Sequence, residues 1–174
     1  MEKVYLGAGC FWCSEAAIKR LKGVKYVLPG YSGGALENPS YKDVCSGASG
    51  HAEVVEVEFD PKTIGFEKIL DVFFTVHDPT TKDQQGADVG SQYRSVILYT
   101  SDSQRKKAEA FIKKIGPEFD KPIVTEVKKF VKFWPAEDYH KDYFAKNPLQ
   151  PYCMFVVRKK VHKVEEKFKS DLKE

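Results

Sequence analysis

The sequence predicts an α+β fold with a mixed, mostly antiparallel sheet and helices packed on it, as a ferredoxin-like (split β-α-β) two-layer sandwich with a C-terminal helix. Three observations lead to this prediction. Residues 52–59 alternate between polar and apolar side chains, as a strand with one buried face does. Residues 66–74 carry apolar side chains at helical spacing. Strand-like and helix-like segments follow one another in the order β-α-β-loop-β-α-β-α-β.

Each element follows from a local pattern. Strands are expected at residues 3–7, 24–28, 52–59, 95–99 and 122–127. Helices are expected at residues 14–21, 41–45, 66–74, 101–115 and 157–172. Residues 29–39 and 80–92 read as Gly-rich or polar loops, and residues 133–140 as a loop turning into a helical segment. In the strand at residues 52–59, Glu56 and Glu58 are expected to face solvent.

Length and charge limit the class of protein. A chain of 174 residues fits a single catalytic domain, 1–174, with a core at about residues 3–153 and a C-terminal helical extension at 154–174. The net charge of +3 arises between Arg158 and Glu174, where seven basic residues face four acidic ones, so no nucleic-acid partner is expected.

The N-terminus and the hydropathy pattern predict the cellular compartment of the protein. Residues 1–7 enter strand-like sequence at once, without the pattern of a signal or transit peptide. No apolar run approaches the ~20 residues that span a bilayer. The expectation is a cytoplasmic protein without a membrane partner.

The sharpest local feature is Gly9-Cys-Phe-Trp-Cys13 at a strand-to-helix junction. A thiol at a helix N-terminus has its pKa lowered by the helix dipole and the unpaired N–H groups, so Cys10 is a candidate nucleophile. The Cys-x-x-Cys spacing also suits a thioredoxin-like dithiol or half of a zinc site. Zinc would need further ligands from Cys45, His51 and Cys153, which are isolated from one another in the sequence.

Two further segments supply acids and hydroxyl donors. Tyr41 precedes Cys45 by one helical turn, and Glu53 follows at the start of a strand. A glutamate in a partly apolar pocket has a raised pKa and can act as a general acid. Asp88 and Tyr93 flank a glycine before a buried strand, and a tyrosine hydroxyl can donate to an oxygen that gains negative charge.

Together these residues suit attack by a thiolate on an electrophilic centre that bears an oxygen. Phe11 and Trp12, next to Cys10, could hold a small apolar group of the substrate. No His-Asp pair lies near Cys10 in the sequence, although His51, His77 or His140 could approach it in space. Composition alone therefore leaves a cysteine protease open.

Many short motifs in one order resemble the peptide methionine sulfoxide reductases of the A class. The resemblance covers about residues 3 to 153, with the matching motifs Gly9-Cys-Phe-Trp12, Gly30-Tyr-Ser-Gly-Gly34, Asn38-Pro-Ser-Tyr41, Val44-Cys-Ser-Gly47, Gly50-His-Ala-Glu53, His77-Asp-Pro-Thr80, Gly90-Ser-Gln-Tyr-Arg-Ser95, Ala136-Glu-Asp-Tyr-His140 and Asn147-Pro.

The resemblance implies a function and roles for individual residues. The family reduces the S epimer of methionine sulfoxide, free or within oxidised proteins, and so repairs proteins after oxidative damage. It implies Cys10 as the nucleophile, which becomes a sulfenic acid, and Glu53 as the acid that protonates the sulfoxide oxygen. It further implies Tyr41 and Tyr93 as donors to that oxygen and Asp88 as a supporting carboxylate.

The resemblance also implies the surroundings of this chemistry. Phe11 and Trp12 would form the walls of the pocket for the methyl group. A second thiol would form a disulfide with Cys10, and thioredoxin would reduce that disulfide. No metal or organic cofactor would be needed.

The second thiol is where this chain departs from the family. Many members have Gly at the position of Cys13 and a resolving cysteine in a Gly-rich tail. Cys153 matches the position of such a cysteine, but a helix is expected after it. Cys13 is therefore slightly favoured over Cys153 as the resolving cysteine, with Cys45 as a third candidate. The competing hypotheses are a general Cys-x-x-Cys thiol-disulfide oxidoreductase and a zinc-binding interaction module.

Overall fold

A computed structural model describes all 174 residues of the chain, and no helix in it is long and apolar enough to cross a membrane. The strands are β1 Glu2–Ala8, β2 Val24–Ser32, β3 Ala52–Phe59, β4 Gln84–Gln85, β5 Asp88–Val89, β6 Ser95–Tyr99, β7 Glu126–Lys129 and β8 Phe133–Pro135. The helices are α1 Phe11–Ile18, α2 Tyr41–Cys45, α3 Phe66–Thr75, α4 Asp102–Ile115, α5 Tyr143–Lys146 and α6 Arg158–Lys167.

Six strands form one sheet in the order β7-β6-β1-β3-β2-β8. All neighbours in it are antiparallel except β6 and β7, which are parallel. The short strands β4 and β5 pair with each other inside the polar loop before β6. The fold is therefore mixed α+β with a mostly antiparallel sheet, as the sequence predicts.

Several element boundaries differ from the sequence predictions. Helix α1 begins at Phe11, three residues earlier than expected. Strand β2 continues through Pro29 to Ser32, where a loop was expected, because these residues pair with both β3 and β8. Strand β8 replaces the loop expected at residues 133–135, and β7 lies at Glu126–Lys129 rather than at 122–127. For the three strands, pairing with a distant strand decides the conformation.

The main core lies between the sheet and helices α1, α3, α4 and α6. It includes the fully buried side chains of Leu6, Phe59, Ile69, Phe73 and Ile97. The helical spacing in residues 66–74 therefore marks the buried face of α3, as expected.

The opposite face of the sheet is also covered. Tyr5 stacks on Phe130 with ring centroids 3.8 Å apart. Glu56, which was expected in solvent, is 8% exposed on this face and accepts hydrogen bonds from the hydroxyls of Tyr5 (2.7 Å) and Tyr26 (2.6 Å). These donors, with Lys3 at 3.4 Å, offset the cost of burying the Glu56 carboxylate. The polar face of β3 is thus a second, smaller core.

The C-terminal segment packs against α1. It begins with a turn of π-helix at Cys153–Val157 and continues as α6. The predicted helix ends earlier than residue 172, since α6 stops at Lys167 and a 3-10 turn follows at Lys169–Asp171. Val157 and Val161 pack in one cluster with Cys10 and Cys13, so this segment covers the inner side of the Cys-x-x-Cys motif.

Gly34 lies where the loop after β2 crosses the loop before β3. Its N–H donates to Nδ1 of His51 (3.0 Å), and a Cβ atom at Gly34 would lie 2.4 Å from both His51 N and Ser49 O. These are backbone atoms, so an added methyl group must displace the loop that leads into β3.

We therefore expect Gly34→Ala to lower the free energy of unfolding by about 1–3 kcal/mol, because overpacking against backbone forces a shift. Urea unfolding monitored by circular dichroism measures this change. Gly116→Ala is the matched control, since a Cβ at Gly116 meets nothing within 4 Å. Equal stability of the two variants would contradict the steric explanation.

Candidate active site

Cys10 lies at the junction between β1 and α1. It is the N-cap of α1, with extended backbone angles, and it is only 8% exposed. Gly9 before it has a φ of +86°, and a Cβ there would lie 2.7 Å from Cγ of Gln85. The tight turn therefore needs glycine, for its backbone angle and for space, and it places Cys10 at the start of α1.

Glu53 comes from β3, next to β1 in the sheet, and is 1% exposed. Its Oε1 accepts a hydrogen bond from the backbone N–H of Phe11 (3.2 Å), while its Oε2 is buried without any partner. Burial raises the pKa of the Glu53 carboxyl to about 8, and the charges of Asp88 and Cys13 act in the same direction. Glu53 is therefore mostly protonated at neutral pH and can give up a proton through Oε2.

The pKa of Cys10 contradicts the expectation from its place at a helix N-terminus. Burial raises this pKa well above its usual value, and the hydrogen bond with the Cys13 thiol and the charge of Glu53 raise it further. The backbone N–H of Trp12 acts in the opposite direction but is outweighed. Without substrate, the thiol of Cys10 thus remains protonated.

Tyr41 and Tyr93 are both close enough to Glu53 for its charge to act on their hydroxyls. Burial, followed by the charge of Glu53, raises the pKa of both hydroxyls. Ser40 caps the short helix α2 that carries Tyr41, and a 3-10 turn at Ser91–Tyr93 carries the other tyrosine. The hydroxyls therefore keep their protons and remain hydrogen-bond donors around the Glu53 carboxyl.

Asp88 lies in β5 and accepts a hydrogen bond from the hydroxyl of Tyr152 (2.6 Å). Burial raises the pKa of Tyr152, and the charges of Cys10 and Cys13 and the hydrogen bond to Asp88 raise it further, so this tyrosine lies near both the thiols and Asp88. The sequence did not single out Tyr152 as a site residue, and its only signal was its position before Cys153.

Phe11 and Trp12 form an aromatic wall at the start of α1. Phe11 is buried and Trp12 is half-buried. The indole of Trp12 stacks on Tyr143 with ring centroids 3.7 Å apart and donates from Nε1 to Nδ1 of His140 (3.0 Å). The sequence analysis named His140 only as a histidine that could approach Cys10. It did not single out Tyr143.

The other two histidines named as candidates, His51 and His77, are engaged elsewhere. His51 bonds Gly34 N–H through Nδ1 and lies 2.7 Å from Leu36 O through Nε2. His77 contacts Phe73 O (2.6 Å) and Ser95 Oγ (2.7 Å). Because both rings use both nitrogen atoms, neither can serve as the base of a protease-like Cys-His pair.

The four cysteines are free thiols, and three of them share one cluster. Cys10, Cys13 and Cys153 are buried together, and the Cys10 thiol hydrogen-bonds to Cys13, which lowers the pKa of Cys13. Burial raises the pKa of Cys153, and the charge of Cys13 raises it further. Cys45 is exposed at the end of α2, outside this cluster.

The zinc hypothesis needs a group of converging ligands. No group of three or more His, Cys, Asp or Glu side chains is arranged to hold a metal ion. The site is thus a buried pair of thiols facing a carboxyl group, two tyrosine hydroxyls and an aromatic wall.

Comparison with known proteins agrees with this geometry. The family model "Peptide methionine sulfoxide reductase" matches residues 2–172. A relative from Haloquadratum walsbyi, "Peptide methionine sulfoxide reductase MsrA", is 51% identical over 171 residues, which cover 98% of each chain.

Solved structures give the same result. The reduced form of Mxr1 from Saccharomyces cerevisiae has a TM-score of 0.82 at 35% identity, over 86% of this chain and 87% of that chain. The structure of Saccharomyces cerevisiae Mxr1 in complex with Trx2 has a TM-score of 0.57 at 24% identity, over 82% of this chain and 84% of that chain. At this identity the likeness shows the fold alone. With the family model matching almost the whole chain, this protein belongs to the peptide methionine sulfoxide reductase family.

Proposed function

We propose that this protein reduces the S epimer of methionine sulfoxide to methionine, both free and within oxidised proteins, and so repairs oxidative damage. The observation that carries the proposal is the Oε2 atom of Glu53, which is buried without a partner beside the Cys10 thiol. A buried polar atom without a partner costs free energy, and a substrate oxygen placed there would satisfy it.

In the first step, sulfur of Cys10 attacks the sulfoxide sulfur while Glu53 gives its proton to the sulfoxide oxygen. The oxygen passes to Cys10 and the S–O bond of the substrate breaks. Methionine leaves, Cys10 becomes a sulfenic acid, and the Cys10 thiol proton restores the protonated Glu53. Cys10 is thus oxidised by two electrons and the substrate sulfur is reduced by two.

The rest of the site suits the two ends of the sulfoxide group. Tyr41 and Tyr93 hold donor hydroxyls near Glu53, where the oxygen gains negative charge. Phe11 and Trp12 present apolar surface at the thiol, where the methyl group would lie. The wall and one of the donors are neighbours, since the rings of Phe11 and Tyr41 stack with centroids 6.5 Å apart. An oxygen site and a methyl site fixed relative to each other can distinguish the two epimers.

In the second step, the Cys13 thiol attacks the Cys10 sulfenic acid, which forms a disulfide and releases water. Three properties of Cys13 support this role. It lies in the first turn of α1, its backbone N–H donates to Cys10 O (3.1 Å), and the pKa of its thiol is lowered. Cys153 is the second candidate for the resolving thiol. Burial, followed by the charge of Cys13, raises its pKa.

A dithiol protein of the thioredoxin class then reduces the disulfide by thiol exchange. The structure of yeast Mxr1 with Trx2 supports this partner for the present chain.

We further infer that residues 1–174 act as one catalytic domain. The packing of the C-terminal segment on the thiol cluster supports this. The antiparallel order β6-β1-β3-β2 supports a ferredoxin-like arrangement of the central strands.

Freshly reduced protein should convert the S epimer, and not the R epimer, in a single turnover followed by chromatographic detection of methionine. Cys10→Ser should abolish conversion because it removes the nucleophile, while Cys45→Ser, with an exposed cysteine outside the cluster, should retain it. Reduction of insulin without conversion of either epimer would instead support a general dithiol oxidoreductase.

Glu53→Gln should slow the single-turnover release of methionine by roughly 10²–10⁴-fold, because an amide cannot supply the proton. Rapid-quench measurement at pH 7 tests this. An unchanged rate would remove Glu53 from the acid role.

Stability provides the control for this variant. The folded-state pKa of about 8 exceeds the ordinary value of 4.5, so Glu53 stabilises the fold less and less as pH rises from 4.5 to 8. Glu53→Gln should therefore be more stable than the parent, by about 1 kcal/mol or more at pH 8 and less at pH 5. A less stable variant would mean that its lost activity reports unfolding.

Cys13→Ser should still release methionine once, yet lose the product disulfide, because Cys10 sulfenic acid then lacks the thiol one helical turn away in α1. Cys153→Ser is the matched control, since it removes a buried thiol of the same cluster and should keep the Cys10–Cys13 link. Mass mapping of peptides after one turnover identifies the linked pair. A disulfide that survives in Cys13→Ser and disappears in Cys153→Ser would assign the role to Cys153.

A further inference from the structure

Glu15 is a buried carboxyl group that the proposed chemistry does not use. It lies in α1, three residues after Trp12, and is 3% exposed. Both of its carboxylate oxygens accept the backbone N–H of Asp142, Oε1 at 2.9 Å and Oε2 at 3.1 Å. The side chain therefore joins the first helix to a turn that lies 127 residues away in the chain.

The turn that Glu15 holds has an unfavourable backbone conformation. Asp142 has a φ of +53°, in the left-handed region that non-glycine residues rarely adopt. It is the N-cap of α5, and its side chain pairs with Lys19 of the segment after α1. Such a conformation persists where surrounding contacts hold it. The hydrogen bonds from the Asp142 N–H to the buried Glu15 carboxylate are contacts of this kind.

The same turn controls the environment of Trp12. Tyr143, directly after Asp142, stacks on the indole at an interplanar angle of 5°. His140, two residues before Asp142, accepts the indole N–H. One face and the polar edge of Trp12 are thus both held by the segment that Glu15 anchors.

We propose that Glu15 is a positioning residue for substrate binding, which holds the turn at Asp142 so that Tyr143 and His140 keep Trp12 in place as a wall of the methyl pocket. The inference rests on the proposed function, in which Trp12 contacts substrate. A purely structural position in α1 would be filled at less cost by an apolar residue, because burial raises the pKa of the Glu15 carboxyl to about 7.

The test uses two readouts, one of which needs no substrate. In a Trp134→Phe background, Trp12 is the only indole, since the chain has two tryptophans. Glu15→Ala should shift the emission of Trp12 to longer wavelength and increase its quenching by iodide. It should also raise the half-saturating concentration of S-sulfoxide in single turnovers by about tenfold, the upper range for loss of an aromatic stack. The maximal rate should change by less than about twofold, because no group that touches the reacting atoms is altered.

Conservative and paired variants separate positioning from stability. Glu15→Gln keeps an acceptor for the Asp142 N–H and should restore both readouts. Glu15→Asp, which is too short to reach, should behave like the alanine variant and serves if that variant does not fold. Tyr143→Ala should show the same loss, and the double variant no more than either single one. Glu165→Ala is the control that should change neither readout. It breaks the ion pair between Glu165 in α6 and Arg20, which follows α1 in the chain.

The outcomes distinguish this inference from the proposed function. If the parent protein fails to convert the sulfoxide, the proposed function fails and the emission of Trp12 still reports on positioning. If the parent converts it while Glu15→Ala and Glu15→Asp leave both emission and half-saturation unchanged, the positioning role is overturned. Additive losses in Glu15→Ala and Tyr143→Ala would also overturn it.

Discussion

The hydrogen bond from Phe11 N–H to Glu53 Oε1 is the constraint on which the active site depends. The first N–H groups of a helix have no partner within the helix, and here one of them is satisfied by a carboxyl from the neighbouring strand. This contact uses one oxygen of Glu53 and leaves the other free beside Cys10. It requires the register that pairs Leu6 with Val55, since a slip of β3 by one residue would turn Glu53 to the opposite face of the sheet.

Burial decides the protonation of this site. Cys10 and Glu53 are both enclosed, and enclosure raises the pKa of both groups, so these two groups are close to neutral before substrate binds. Charge develops only when the thiol and the carboxyl group meet an oxygen that can accept a proton. An enclosed, protonated thiol also resists adventitious oxidation, because oxidants react with exposed thiolates. The cost is stability, which the buried carboxyl lowers at neutral pH.

The N-terminal motif is completed by residues from the far end of the chain. Trp12 bonds to His140, Asp88 accepts from Tyr152, and Val157 covers the inner side of the thiol cluster. The C-terminal segment is therefore a wall of the site as well as an extension of the fold. Its wide helical turn at Cys153–Val157 lies directly against the thiols, and such turns are frequent at functional sites.

The sequence by itself determined those features that depend on neighbouring residues: the helix at residues 66–74, the strand at 52–59 and the junction that carries Cys10. Its ordered motifs also indicated the family. Only the tertiary structure decided that β2 runs through Pro29 to Ser32, that Glu56 is buried, and that the pKa of Cys10 is raised despite its helix N-terminus. The anchoring of Trp12 through Glu15 and Tyr143 likewise joins distant segments. Periodicity and capping act over a few residues, whereas strand pairing, burial and the electrostatic environment depend on atoms that only the folded chain brings together.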